Sequence, residues 1–552
     1  MSDRHFEFWP AHLARTMMIP ETHLFFNIEV SAARYPRKPC QIFYDSPITF
    51  ARFKDEAERI AGFLQRECGV AKGDRVILLM QNSPQFALAY YGILRADAVV
   101  VPLSPMNITR ELRQYVDDSG ARTALVAQEL YPQIAPLVGD GIAHVVVAAY
   151  SDYLTEPTDM AVPDVISAPA QPVAGAGVAS WSDVLTRDLR PRPMEVGPDS
   201  PAVLPYTSGT TGRPKGCVHT HRSAMHTIVA GAQWFRLTPG AVHLAVAPFF
   251  HVTGMQGSLN TPIYNGSTSV LLPRWDRDAA ARYIERYRVN AWSAVPSMII
   301  DFLSNPRLGQ YDISSLSRMT GGGAAMPEAI AQRMLDRGIT YVEGYGLTET
   351  IAPTHINPPD RPKKQCLGIP IFDTEARVVD PADFHELPPG QVGELVISGP
   401  QVFREYWKQP EATAEAFVEL DGKRFFRTGD LAKTDEDGYF FMVDRLKRMI
   451  NAGGYKVWPA EVESLMYAHP AIAEACVIGA RDPRRGETVK ALVVLKEAAR
   501  GEVTAADIIE WSKQRMAVYK YPRVVDFVDA LPRSGTGKID WRKLQEIENA
   551  RS

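Results

Sequence analysis

The sequence predicts an α/β protein, with a large, multi-subdomain N-terminal domain followed by a small α+β C-terminal domain. Three observations carry that prediction. At 552 residues the chain is too long for one hydrophobic core, so two or three domains are expected. Short apolar, β-branched runs alternate with helical patterns, as in buried parallel strands crossed over by helices. Past Gly438 the character changes and a shorter α/β unit follows, which divides the chain into residues 1–443, a connection at 444–449 and residues 450–552.

Taken in order, Arg75-Val-Ile-Leu-Leu-Met80 reads as a buried strand. Ser83-Pro84 supplies an N-cap and a first-turn proline for a helix to about Arg95. Val99–Pro102 is the next strand, Thr109–Ser119 the next helix and Thr123–Ala127 a third strand. Residues 161–179, rich in Ala, Pro, Val and Gly, read as a surface connection inside the large domain. The α/β pattern resumes at Pro201 and runs to about Leu420. In the C-terminal domain Ala475–Gly479 and Val489–Leu495 are expected strands and Ala506–Met516 a helix.

Composition excludes several classes. Hydrophobic residues make up 45% and charged residues 22%, ordinary for a soluble globular protein. A net charge of −4 gives no reason to expect a nucleic-acid partner. The five cysteines, Cys40, Cys68, Cys217, Cys366 and Cys476, form no C-x-x-C pair, so neither a zinc site nor a redox motif is suggested. Their odd number fits a reducing cytoplasm. The first twenty residues carry charges at Asp3, Arg4, Glu7 and Arg15 with no continuous apolar core, unlike a signal peptide. Nowhere do eighteen apolar residues run together, so no stable membrane insertion is expected.

The chemistry concentrates in a few runs. Tyr206-Thr-Ser-Gly-Thr-Thr-Gly-Arg-Pro-Lys-Gly216 combines the hydroxyls of Ser208, Thr210 and Thr211 with Gly209, Gly212 and Lys215. Hydroxyls, exposed amide N–H groups and one cation make a concave anion site. It lacks the spacing of a Walker loop. Met319-Thr-Gly-Gly-Gly-Ala-Ala-Met326 leaves open backbone where side chains would stand, and Pro327-Glu328 after it begins a helix. Glu343-Gly-Tyr-Gly-Leu-Thr-Glu-Thr350, Phe426-Arg-Thr-Gly-Asp-Leu431 and Pro532-Arg-Ser-Gly-Thr-Gly-Lys-Ile539 complete the set. Taken alone, the shorter runs read as turns or solvated loops, whereas the eleven-residue run Tyr206–Gly216 and the order of all of them do not.

Together these runs resemble the signature motifs of the adenylate-forming superfamily, which contains acyl- and aryl-CoA synthetases, peptide-synthetase adenylation domains and beetle luciferases. Fatty-acyl-CoA synthetases look nearest, on Phe249-Phe-His-Val-Thr-Gly-Met255. The resemblance implies an adenylation domain with a small mobile C-terminal domain, and a ligase that uses ATP, Mg²⁺ and coenzyme A. Thr207 and the loop 208–215 would wrap the ATP phosphates. Gly322, Gly323 and Ala324 would line the adenine and acyl pockets. Gly344, Tyr345 and Gly346 would frame the adenine, with Tyr345 stacked on it. Thr348 would contact the α-phosphate, and Glu349 with Thr207 would hold Mg²⁺. Asp430 would accept the ribose hydroxyls, and Arg445 would reach the same region.

His251 would lie beside the substrate carboxylate. It need not act as a base, because a carboxylic acid is already ionised at neutral pH. Lys538 would bridge that carboxylate and the α-phosphate. Lys447 would mark a hinge, and Gly453, Gly454 and Tyr455 would border the pantetheine tunnel. The expected substrate is a medium- to long-chain fatty acid, with an aryl or branched acid, or a separate carrier protein as acceptor, as rivals. A luciferase-like oxidase has no positive support. A nucleotide-responsive binding protein without catalysis should lack Glu349, Asp430 or Lys538, and all three are present. A homodimer is compatible with such synthetases, though nothing in the sequence shows it.

Overall fold

The computed structural model describes residues 3–207, 214–322, 326, 328–452, 455–482, 486–533 and 539–551. Contacts divide the chain into two compact units. The larger takes in Ser2–Glu375 and Ile397–Phe426, the smaller Ala376–Val396 and Arg427–Ser552.

In the larger unit, a seven-stranded sheet runs in the order His219–Thr220, Pro201–Val203, Val99–Pro102, Arg75–Leu79, Thr123–Ala127, His144–Ala148 and Val178–Ser180. The last six strands are mutually parallel. Residues Val76 to Leu79 are all buried, so both faces are covered, as a parallel sheet requires. The helices Phe50–Arg66 and Pro84–Arg95 pack together beside it. The second helix starts as the sequence predicts: the Phe86 N–H donates to Ser83 Oγ at 3.1 Å, with Pro84 in the first turn.

A second sheet has nine strands: Ile369–Pro370, His355–Ile356, Thr340–Tyr345, Arg318–Gly322, Ala291–Ser293, Val242–Ala245, Thr268–Leu271, Pro39–Phe43 and Ser46–Thr49. The six from Thr340–Tyr345 to Pro39–Phe43 are parallel, and antiparallel strands close both edges. One apolar core joins the two sheets, with Leu78, Phe86 and Val100 in the same cluster as Leu244, Val270 and Trp292.

The smaller unit contains the long antiparallel pair Ile472–Asp482 and Gly486–Leu495, with Val524–Phe527 parallel to the second strand. Pro459–Met466, Ala505–Lys513 and Trp541–Arg551 are its helices. Residues 430–434 pair with 440–445 in a separate antiparallel ladder. Among the described residues no helix is long and apolar enough to cross a membrane.

Every strand and helix expected between residues 75 and 127 is present within a residue of its expected ends. The C-terminal helix runs Ala505–Lys513, ending three residues before the expected Met516, and two departures are larger. Within the 161–179 connection lie a short helix, Asp164–Ser167, and the start of the edge strand Val178–Ser180, too short and too weakly apolar to register as patterns. From residue 375 to about 420 the expected α/β alternation gives way to strands, with one short helix at Pro410–Glu415. The long strand Lys423–Thr434 mixes apolar with charged residues, so its periodicity is masked.

Candidate active site

The larger unit gathers its chemistry at the C-terminal ends of the parallel strands, where open α/β sheets bind ligands. Strands Arg318–Gly322 and Thr340–Tyr345 run in register, with Gly322 opposite Gly344. A Cβ on Gly322 would collide with the Gly344 carbonyl oxygen, so a side chain is excluded. Two runs twenty residues apart in sequence thus become one flat, side-chain-free edge. The turn after it closes just as tightly. A Cβ on Gly346 would stand 2.8 Å from Ala352 Cα, while Ile351 and Ala352 hold φ at +43° and +25°.

Beyond that edge, Tyr345 pairs with His355, their rings 5.8 Å apart and edge to face. Thr348 and Glu349 occupy a single 3₁₀ turn, Thr348–Thr350. Its backbone is held from below: His219 Nε2 lies 2.7 Å from the Thr348 carbonyl oxygen, and the Phe403 N–H donates to the Glu349 carbonyl at 2.7 Å. A carbonyl can only accept, so Nε2 carries the proton. Burial pushes the His219 pKa down to about 4, which keeps the ring neutral. The Glu349 carboxylate accepts the phenol O–H of Tyr406 at 2.9 Å. Glu343, six residues earlier, does different work. Its oxygens accept the Met326 N–H at 3.0 Å and the Cys366 N–H at 3.3 Å, and burial raises its pKa.

The base of the Tyr206–Gly216 run is a two-residue antiparallel ladder in which Lys215 faces Thr207 and Gly216 faces Tyr206. The Tyr206 hydroxyl donates to Asp118 Oδ2 at 2.6 Å. Lys215 Nζ rests 4.8 Å above the Tyr406 ring. Ser208, Gly209, Thr210, Thr211 and Gly212 lie outside the described residues, as do Gly323 and Ala324.

His251 caps the short helix Val252–Gly254, its Nδ1 accepting the Thr253 N–H at 3.3 Å. A π-helical turn, Met255–Asn260, follows, a local form often associated with functional sites. There Gly257 approaches Ser293, whose hydroxyl lies 2.8 Å from that of Thr320. Val252 and Met255 are buried in the core.

In the smaller unit, Asp430 stands opposite Arg445 in the ladder and pairs with its Nε at 3.0 Å. Asp430 is only 1% exposed, and its N–H donates to Thr428 Oγ1 at 3.0 Å. Lys447 belongs to the 3₁₀ turn Leu446–Arg448, and Tyr455 opens the strand Tyr455–Val457. Arg448 pairs with Glu463 at 2.5 Å, and the Ala460 N–H donates to Asp444 at 2.7 Å. Gly453, Gly454 and Lys538 lie outside the described residues; the bridge between Arg533 and Ile539 brackets the last.

The structure therefore brings Thr207, Lys215, Gly322, Gly344, Tyr345, Gly346, Thr348, Glu349 and His251 into the larger unit, and Asp430 and Arg445 together in the smaller. Sequence reasoning missed His219, Glu343 and Tyr406. Only Glu343 stood inside a quoted run. Nothing in the local pattern marks the other two, which reach the site across 129 and 57 residues of chain.

A family model described as AMP-binding enzyme matches residues 28–407, and one described as AMP-binding enzyme C-terminal domain matches residues 461–538. A long-chain-fatty-acid–CoA ligase of Bacillus subtilis (strain 168) is 34% identical over 98% of this chain and 97% of its own. A feruloyl-CoA synthase of an Amycolatopsis species is 36% identical over 89% of this chain and 92% of its own. Among solved structures, an anthranilate CoA ligase in complex with anthranoyl-AMP superposes with a TM-score of 0.82 at 26% identity, covering 98% of this chain and 99% of that one.

Proposed function

The chain belongs to the AMP-binding enzyme family, and from that premise we propose which residues carry its chemistry and which acid it activates. The protein is an AMP-forming acid–thiol ligase. Its carboxylate substrate attacks the α-phosphorus of ATP, forming the C–O–P bond of an acyl-adenylate and expelling pyrophosphate. The thiol of coenzyme A then attacks the acyl carbon, and AMP leaves with the electron pair of the broken C–O bond.

The observation that best supports our residue assignment is the pairing of Gly322 with Gly344 beside the Thr348–Glu349 turn. A flat edge without side chains suits adenine and an acyl chain, and the carboxylate of Glu349, five residues beyond Gly344, suits a cation bound to phosphates. Glu349 and Thr207 offer oxygen donors, so the residues fit a hard cation that keeps most of its shell as water and phosphate oxygen. Magnesium there would neutralise charge on the phosphates as pyrophosphate departs. Thr348, Lys215 and the loop 208–212 orient the phosphates, and Lys538 offsets repulsion between the two reacting anions. Asp430, its charge matched by Arg445, is suited to accept hydroxyls of the ribose. His251 orients the acid.

The hinge at 444–449, between domains 1–443 and 450–552, belongs to the same proposal. Strand Lys423–Thr434 runs unbroken across the contact boundary at 426, whereas Leu446–Arg448 is a single turn that can pivot without breaking a ladder. Gly453, Gly454 and Tyr455 would then border the path of the pantetheine arm. Cytoplasmic action is in keeping with five free cysteines. A homodimer would rest on resemblance alone.

For the acid we favour a medium- to long-chain fatty acid, on the apolar Val252 and Met255 after His251 and on the long-chain-fatty-acid–CoA ligase relative. The feruloyl-CoA synthase relative favours an aryl acid as the second reading. AMP release with ATP, magnesium and CoA, across acids from acetate to palmitate plus benzoate, cinnamate and ferulate, separates them. Turnover confined to the chain acids upholds the first reading, and turnover confined to the aryl acids replaces it with the second. Pyrophosphate release that ignores CoA would move the acceptor to a carrier protein.

A further inference from the structure

We propose that Tyr406 is a positioning residue for adenylation, tying the Glu349 carboxylate and the Lys215 ammonium to one fixed segment so that their separation is set before ATP arrives. The inference rests on the roles assigned above to Glu349 and Lys215.

The geometry is that of a brace. The Tyr406 phenol donates to Glu349 Oε1 at 2.9 Å, and Lys215 Nζ stands 4.8 Å over the same ring. One side chain thus touches both charged groups by two different interactions, a hydrogen bond through its edge and a cation–π contact through its face. Its backbone is fixed on both sides. Val218 N–H donates to the Glu405 carbonyl at 3.0 Å, Arg404 N–H to the Val218 carbonyl at 3.0 Å, and Trp407 N–H to the Gly216 carbonyl at 2.7 Å. The segment 403–407 is therefore laced to the strand leaving the phosphate loop, while Phe403 N–H holds the Glu349 backbone at 2.7 Å. Tyr406 itself is 7% exposed and packs with Cys217, Phe403 and Phe426.

The chemistry suits the task. A phenol is protonated at neutral pH, so beside a carboxylate it donates. A neutral donor fixes one carboxylate oxygen without cancelling its charge. A cation in place of Tyr406 would compete with the metal. The ring face likewise holds the Lys215 ammonium by a cation–π contact that takes up none of its hydrogen-bonding capacity.

The test is isotope exchange between pyrophosphate and ATP as magnesium is varied, with palmitate as the acid, or ferulate where palmitate is inactive. Tyr406→Phe keeps the ring under Lys215 and removes only the hydroxyl. It should raise the magnesium concentration for half-maximal exchange about tenfold, the worth of a hydrogen bond to a charged group. At saturating magnesium its KM for ATP should stay near that of the wild type. Tyr406→Leu, which also loses the ring, should raise that KM as well. CoA transfer from chemically prepared acyl-adenylate should proceed normally in Tyr406→Phe. A Tyr406→Phe variant with wild-type magnesium dependence overturns the positioning role even if its melting temperature falls. A wild-type protein without exchange overturns the reading of the whole site, a result that cannot be confused with the first.

Discussion

The two compact units bury polar groups in different ways. In the larger unit the deeply buried titratable groups around the candidate site are neutral. His219, His221, His226, His243 and His355 are each at most 6% exposed, and burial drives their pKa values to about 3 or 4. Cys217 is held as a thiol and Tyr406 as a phenol by the same cause. The smaller unit also buries neutral groups, His469 and Cys476, but adds buried ion pairs: Asp430 with Arg445, Glu394 with Arg427, Glu463 with Arg448, and Lys490 with Asp526 and Glu548. The difference separates the two candidate carboxylates. Glu349 meets a neutral donor, the Tyr406 phenol, whereas Asp430 meets a cation, the Arg445 guanidinium.

Acid should break this contrast first and most strongly. A histidine whose folded pKa lies below its unfolded value binds fewer protons when folded, so stability falls as pH drops from about 6.5 toward 4. Each of the five histidines contributes about 1.4 kcal/mol per pH unit in that window. In the smaller unit, burial raises the folded pKa values of Asp444 and Glu463. That shift has the opposite sign: as pH falls toward the ordinary carboxylate range the folded state takes up protons first, so these two groups cost nothing on acidification. Hydrogen exchange resolved by peptide at pH 7 and pH 5 should show protection lost first in residues 201–245 and 340–356. Equal loss in residues 472–495 would mean that the buried histidines do not govern acid stability.

The next largest effect concerns Glu349 itself. Glu349→Gln keeps an acceptor for Tyr406 but removes the charge. Adenylation should fall by about 10²–10³, the usual cost of deleting one stabiliser of transition-state charge. The melting temperature should hardly move, because the backbone contacts to His219 and Phe403 remain. A variant that adenylates normally would remove Glu349 from the metal site. For Asp430→Asn the loss should be about tenfold and appear in KM for ATP, since the amide keeps only one acceptor for two hydroxyls. Its magnesium dependence should match the wild type. If the two variants instead share one magnesium phenotype, the distinction drawn between the two carboxylates fails.

How much of this could be read from the chain alone follows from the range of the interactions. Ser83-Pro84 opens its helix as predicted because capping is decided within four residues. The buried strands between residues 75 and 127 were legible because β-branched runs need no knowledge of their partners. Sheet order was not legible. Nothing local says that Gly322 will face Gly344, or that Val178–Ser180 will add an edge. The motifs named Glu349, Asp430 and the glycines by resemblance, but their supports come from elsewhere. His219 lies beyond the signature run, and Tyr406 lies in a segment whose value appears only when it zips against Gly216–Val218. The region from 375 to 420 was misread as continued α/β alternation because its short strands, Glu375–Val379 and Phe417–Leu420, carry charged residues among the apolar positions.

The smallest expected effect sharpens the comparison furthest, because the phenol–carboxylate device, used in the larger unit by Tyr153 and Tyr287 as well, recurs at Tyr206 and Tyr406. Tyr206 donates to Asp118 at 2.6 Å as Tyr406 donates to Glu349 at 2.9 Å. Burial and Asp118 push the Tyr206 phenol well above its ordinary range, so this donor too is permanent. Only one of the two carboxylates is assigned to a cation. Asp118 lies in the last turn of a helix, where its own carbonyl and that of Ser119 hold Lys408 and Arg75, and on the proposed reading its carboxylate anchors the base of the phosphate loop. Tyr206→Phe should therefore lower stability by about 1–2 kcal/mol, the cost of a hydrogen bond to a charged group that remains partly solvated. It should raise KM for ATP about twofold. The magnesium requirement should stay where it is, in contrast to Tyr406→Phe. Measured side by side, the two phenylalanine variants separate a phenol that steadies a loop from one that aims a charge. Equal magnesium shifts in both would mean that either phenol acts only by stiffening the loop.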